Sequence, residues 1–127
     1  MPVFYSHWSD IPLREWYRRW PNFHPSEIAS KGDGSLLVHE DALDALQSAR
    51  RKLGVLHINS AYRDPRYNAL VGGAPMSRHK TGDAFDISLR NQEKKQVLEV
   101  CEHVGFRGFG INYNTFVHVD MGRKRRW

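Results

Sequence analysis

The sequence is poor in cysteine. Cys101 stands alone in 127 residues, so no intramolecular disulfide can staple the fold and no cysteine pair can hold a metal. It falls on the apolar face of an expected helix and reads as a packed thiol. Long hydrophobic runs are also missing. No stretch approaches the roughly 18 apolar residues that a membrane span needs. The segment from Met1 to Trp8 lacks the basic and then apolar regions of a secretory leader. The expectation is a chain made in the cytoplasm, or one whose leader has been removed. Repeats, low-complexity segments and linkers are absent, which leaves one domain with one modest core. The HExxH zinc signature is absent too.

What is present is ordinary for a soluble globular protein: 40% hydrophobic and 26% charged residues. The formal net charge is +5 and the pI about 9.6. That excess suits an anionic partner such as nucleic acid or cell wall, or plain solubility. Leu13, Trp16, Tyr17 and Trp20 recur at helical spacing, with Ser9 or Asp10 as cap, Pro12 in the first turn and Pro21 as the stop. Residues 23–28 read as a helical turn and 31–35 as a glycine loop. Glu40 to Leu53 is the clearest helix, with Leu43, Leu46, Ala49 and Leu53 on one face and Gly54 at its end. Strands are expected at 55–60, 84–89, 106–113 and 116–121. A helical turn is expected at 67–70, and a helix capped by Asn91 running to Val104. Helices first and short strands later make an α+β fold.

The chemistry concentrates in Ser77-Arg78-His79-Lys80-Thr81-Gly82-Asp83-Ala84-Phe85-Asp86 and in Phe116-Val117-His118-Val119-Asp120. His79, Asp86 and His118 supply two imidazoles and a carboxylate, the donor set of a catalytic zinc with one position left for water. Strand alternation puts Asp86 with Ala84 and Ser88 on one face, and His118 with Asp120 on one face. Phe85, Ile87, Val117 and Val119 point to the opposite side. Gly82 lets the chain turn between His79 and the strand that carries Asp86. The residues alone leave two readings open, a metal site and a pair of hydrogen-bonded histidines.

The first segment resembles the S-x-H-x-x-G-x-A-x-D motif of the M15 zinc peptidases. These are D-alanyl-D-alanine carboxypeptidases and phage endolysins, related in fold to the Hedgehog signalling domain. Ser60-Ala61-Tyr62-Arg63 is similar to the family's S-x-Y-R segment. Tyr67-Asn68-Ala69-Leu70-Val71-Gly72-Gly73-Ala74 is similar to the Y-N-x-x-V-G-G-A that follows it. Phe116 to Asp120, with Gly122 and Arg126-Trp127, resembles the F-V-H-V-D ending of the smaller branches. The motifs run in register from about Phe23 onward. The expected layout is a single zinc peptidase domain over 1–127, with 1–22 a helical N-terminal extension and 23–127 the M15-like core. The expected fold is a small antiparallel sheet with flanking helices, Hedgehog/DD-peptidase-like.

The resemblance implies Zn2+ held by His79, Asp86 and His118, with Arg63 steadying the substrate carbonyl or its oxyanion. Ser77 supports the site or shapes the turn. One position departs from the better-known branches. The Glu or Asp that serves them as general base, three residues before the last histidine ligand, is here Thr115. Asp120 is the nearest substitute, as a base or as the group that orients a histidine ligand; both roles stay open. Asp83 is a weaker candidate, because alternation points it away. The implied activity is hydrolysis of peptide bonds in peptidoglycan stem peptides, of carboxypeptidase or endolysin type. The implied unit is a monomer, with neither nucleic acid nor membrane as partner, that reaches the cell wall by phage-type release or from a virion. The alternative is a zinc-containing peptidoglycan-binding module with little or no turnover. A third reading gives Arg123 to Arg126 to nucleic acid, against which stands a solvated basic tail.

Overall fold

A computed structural model describes residues 2–127. Its centre is a five-stranded sheet built from β3 (Ile58–Ser60), β4 (Ala84–Ser88), β5 (Gly108–Gly110), β6 (Phe116–Asp120) and β7 (Arg125–Arg126). Their spatial order is β3-β4-β6-β5-β7. Three of the pairings are antiparallel, and β5 with β7 is parallel. Apart from the sheet, β1 (Val3–Tyr5) and β2 (Leu36–Val38) form a small antiparallel ladder.

The helices follow the apolar periodicity. α3 (Glu40–Leu53) has the bounds expected from sequence. Glu40 and Asp41 sit in its first turn and Arg50, Arg51 and Lys52 in its last, each complementing the helix dipole. The His39 side chain accepts from the Ala42 N–H at its start, and Gly54, at φ 81°, ends it. Ala42, Leu43, Leu46 and Ala49 are buried on its inner face. α5 (Lys94–Val104) packs against α3. Phe85, Ile87, Val117 and Val119 join Leu43, Leu46, Val97 and Cys101 in one apolar cluster. Cys101 is fully buried there, and burial pushes its thiol up to about 12. It is the packed residue that its helical position implied.

The N-terminal helix is α1 (Leu13–Arg19). Trp16 and Trp20 are buried in the same cluster as α3. The Trp16 indole donates to the Phe23 carbonyl at 2.7 Å and the Trp20 indole to Asp44 at 2.9 Å. Arg19 grips Asp44 at 2.7 Å and 2.9 Å and also pairs with Glu40. Trp16 and Trp20 are therefore the seam that docks the N-terminal segment onto α3, whereas Leu13 and Tyr17 of the same stripe are exposed. α2 (Pro25–Ile28) is a single turn closed by a capping box between His24 and Glu27.

Several boundaries differ from the sequence expectation. Ser9 and Asp10 lie in a separate 3₁₀ turn, Trp8–Asp10, and α1 starts after Pro12, which stands at its N-cap. Asn91 does not cap α5. It takes a left-handed φ of 57° in a turn, and the helix begins only after Glu93. The neighbouring Gln92 amide explains the turn, since it donates to the carbonyls of Leu53 and Val55 at the end of α3. Those bonds also hold Val55 out of β3, which shrinks to Ile58–Ser60. α4 (Pro65–Leu70) starts two residues early because Asp64 caps it by accepting from the Tyr67 N–H at 2.9 Å. The basic tail, read as a solvated end, instead contributes β7. Trp127 is bonded to β5 through its N–H to the Phe109 carbonyl, at 2.9 Å.

Candidate metal centre

The β4–β6 register builds the site. Asp86 pairs with His118 and Ala84 with Asp120 across the ladder. Opposed residues share a face, so the two polar rows meet on one side of the sheet while their neighbours fill the core. β5 lies next to β6, with Gly110 opposite His118 and Gly108 opposite Asp120. A Cβ at Gly110 would sit 3.0 Å from both the His118 Cβ and the Trp127 ring; one at Gly108 would collide with Asp120 and Arg125. The alternating glycines clear the face on which the polar residues stand.

His79 arrives from a 3₁₀ turn, Arg78–Thr81. The Ser77 hydroxyl accepts from the His79 N–H at 3.2 Å, so Ser77 shapes the turn. Gly82 closes it at φ 77°. The Ser60–Arg63 segment is sewn to this turn: the Ala61 carbonyl accepts from His79 Nδ1 at 2.7 Å, and the Arg63 N–H donates to the His79 carbonyl at 3.0 Å. These bonds explain why the two sequence motifs, 14 residues apart at their nearest ends, form one structural unit.

One donor atom each from His79, Asp86 and His118 lies within 4.8 Å of the others. His79 Nε2 is 3.2 Å and His118 Nδ1 3.1 Å from the same oxygen of Asp86. The opposite ring nitrogens are already committed. Nδ1 of His79 donates to a carbonyl, and Nε2 of His118 donates to Asp120 at 2.7 Å. Those acceptors assign the tautomers and leave a lone pair on each of the facing nitrogens. Two lone pairs and a carboxylate oxygen converging at about 3 Å repel one another unless a cation sits among them. The donor set therefore fits a divalent ion with an open position. Without one, a proton must serve. Burial alone would lower the His118 imidazole, but its bonds to Asp120 and Asp86 outweigh that and raise it. Burial would likewise raise Asp86, yet the two histidines bring it down to about 2.

The cluster lines a cavity of about 470 Å³. Arg63 stands on one side. Its Nε donates to Ser60 at 3.0 Å, Nη1 donates to Asn68 at 3.3 Å, and Nη2 lies 3.6 Å from Asp86. Asp64, the obvious surface partner, is engaged elsewhere, with Ser30 at 2.5 Å and the α4 cap. Asp120 is fully buried and does not line the cavity. It accepts from His118, from both Nη groups of Arg125 at 2.9 Å and 2.7 Å, and from the Gly122 N–H at 2.9 Å. Burial opposes its charge, but these donors hold its carboxyl well below the usual carboxylate range. Asp83 is buried and tied to Arg78 and Thr81. Thr115 is exposed, whereas Phe116 lines the cavity.

The residues that sequence reasoning missed are Arg78, Tyr113, Arg125 and Trp127, all cavity-lining. Tyr113 stacks on Phe116 at 4.3 Å, and the Trp127 ring lies 5.0 Å from that of His118. The G-x-G of β5 and the R-x-W at the end of the chain, both of period two, are signals that could have found Arg125 and Trp127; neither pattern reaches Arg78 or Tyr113.

Two imidazoles and a carboxylate, one imidazole brought by the turn to the sheet face that carries the others, open to a cleft with an arginine beside them and could hold a hydrolytic metal ion. The family model described as Peptidase M15 matches residues 21–120, and the chain belongs to that family. It is a metallopeptidase with a peptide substrate, and its mixed α+β fold agrees with the expectation. No curated protein matches the chain. No helix is long and apolar enough to cross a membrane among the described residues.

Proposed function

We propose that the protein is a zinc-dependent peptidase that hydrolyses peptide bonds in peptidoglycan stem peptides. The observation that carries this is the convergence of His79 Nε2, Asp86 Oδ1 and His118 Nδ1 on the floor of a cleft that Arg63 also lines. Two nitrogens and one oxygen suit zinc. A zinc ion held by His79, Asp86 and His118 would supply a Lewis acid and a bound water acidified to a pKa of about 7. The chain supplies the remainder. Arg63, fixed by Ser60 and Asn68, offers its guanidinium to the carbonyl oxygen as negative charge grows on it. Asp120 holds His118 in the tautomer that presents Nδ1 to the metal. That makes it a positioning residue, since its carboxylate is sealed off by Arg125 and Gly122. On this reading one domain acts as a monomer on the cell wall, after phage-type release or from a virion.

A second reading rests on one observation. Among the described residues Asp86 is the only carboxylate lining the cleft, and Thr115 offers none. A base must come from the substrate, from Asp86 itself or from solvent; failing all three, the protein is a metal-containing peptidoglycan-binding module. Digestion of purified peptidoglycan with zinc-loaded protein, followed by mass spectrometry of the products, separates the two. Products that vanish on chelation and in His118→Ala support the peptidase, and their masses name the bond. A folded, zinc-holding protein that releases nothing supports the binding module.

A further inference from the structure

We propose that Arg78 and Arg125 form a carboxylate-binding subsite beside the metal centre, so that the peptide cut there carries a free carboxylate close to the scissile bond. The inference deepens the peptidase reading and rests on it. Both arginines line the same cavity as His79, Asp86 and His118. They are neighbours: a Cβ built on Gly122 would lie 3.0 Å from Arg125 Nη1 and 3.3 Å from Arg78 Nε. Two guanidiniums side by side repel each other unless anions lie between or around them.

Their own counter-ions sit underneath. Arg78 pairs with Asp83 and Arg125 with Asp120, and both carboxylates are buried and absent from the cavity wall. The ion pairs thus fix both guanidiniums: Arg125 gives both Nη groups to Asp120 and Nη1 also donates to the Arg123 carbonyl at 3.0 Å, while both side chains still line the cleft. Arg125 is held a second time by the Trp127 indole, 4.8 Å beneath its guanidinium. Arg78 Nε–H is a buried donor with no acceptor among the described residues. Strand order does the rest: Arg63 follows β3 and Arg125 lies on β7, with Asp86 on β4 and His118 on β6 between them. Arginines stand at both ends of the cleft, and Asp86 is its only acid among the described residues. A carboxylate is the group that the N–H donors left over on such guanidiniums match in charge.

A stem-type peptide can offer that carboxylate from its C-terminus or from an acidic side chain. Four versions separate the sources: unmodified, C-terminally amidated, side-chain amidated, and both. Binding to metal-free protein is measured by calorimetry, and hydrolysis is measured on zinc-loaded protein. Amidating the recognised carboxylate should weaken binding about tenfold or more, the scale of a charge-assisted contact. Arg78→Gln alone would strand the buried Asp83, so the variant used is Arg78→Gln/Asp83→Asn, with Asp83→Asn as control. The double variant should discriminate less among the four peptides than the control, which keeps the Arg78 guanidinium. Equal binding of the four peptides by the parent, no binding of any, or undiminished discrimination by the double variant would overturn the subsite. Carboxylate-dependent binding without hydrolysis would keep the subsite and reject the peptidase reading. Hydrolysis of all four peptides at one rate would do the opposite.

Discussion

Asp120→Asn tests the assignment on which the mechanism depends. Asp120 receives four hydrogen bonds: two on Oδ2, from His118 and Arg125, and two on Oδ1, from Arg125 and Gly122. An asparagine keeps one oxygen. Whichever way its amide turns, an NH2 faces two N–H donors, so two bonds are lost and replaced by repulsion. If the NH2 faces His118, the imidazole loses the acceptor that keeps its proton on Nε2 and its lone pair on Nδ1. Loss of such an orienting acceptor weakens metal binding about 10–100-fold, or about 1.4–2.8 kcal/mol. Arg125 loses its counter-charge as well. Breaking a buried pair costs about 3–5 kcal/mol, and with 27% of the Arg125 side chain exposed the lower end applies. The assay is competition for zinc with a chromophoric chelator, run beside turnover at saturating zinc and unfolding of the metal-free protein. Weakened zinc binding with turnover restored by excess metal is the expected result. Unchanged zinc affinity together with abolished turnover would refute the reasoning and make Asp120 the base.

Gly73→Ala places a Cβ against the Asn68 amide and 3.0 Å from Arg63 Nη1; displacing the guanidinium should lower kcat/KM about 10–100-fold with zinc content unchanged, and zinc loss would count against it. Leu46→Ala, at a fully buried position of α3, should cost about 2–5 kcal/mol, read as a lower urea midpoint at constant slope; a change under 1 kcal/mol would show that the α3 core seam is not as tight as described. Asp64 is opposed by burial, but the Ser30 hydroxyl and the Tyr67 N–H still hold its carboxyl below the ordinary value. Its contribution is therefore present in full above the unfolded value of about 3.9 and lost as pH falls through the folded one. Asp64→Asn should accordingly cost more stability at neutral pH than at about pH 3, and an equal cost at both would refute the shift.

What the sequence made legible was local or periodic. The bounds of α3 follow from an apolar stripe, a glycine stop and a charge gradient along the helix. The meeting of Asp86 with His118 follows from alternation, because Phe85, Ile87, Val117 and Val119 must share the core and so fix both polar faces. Where local signals competed with distant partners, they lost. Asn91 is a good cap in isolation, but the Gln92 amide anchors that turn to α3, 37 and 39 residues earlier in the chain.

The same limit explains Asp120. Its place beside His118 is a matter of period two and was visible; its role depends on what occupies its other oxygen. That occupant, Arg125, reaches it because a four-residue return, 121–124, sends β7 back beside β5, and because Gly108 leaves the space through which the guanidinium passes. Neither fact is written in the F-V-H-V-D segment. Read alone, the segment leaves Asp120 as free to take a proton as to orient an imidazole. With Arg125 bonded to both oxygens, proton transfer to Asp120 would have to break a buried bidentate ion pair in every turnover. Orienting His118 leaves that pair intact throughout, and this difference is why the positioning role is the one we assign.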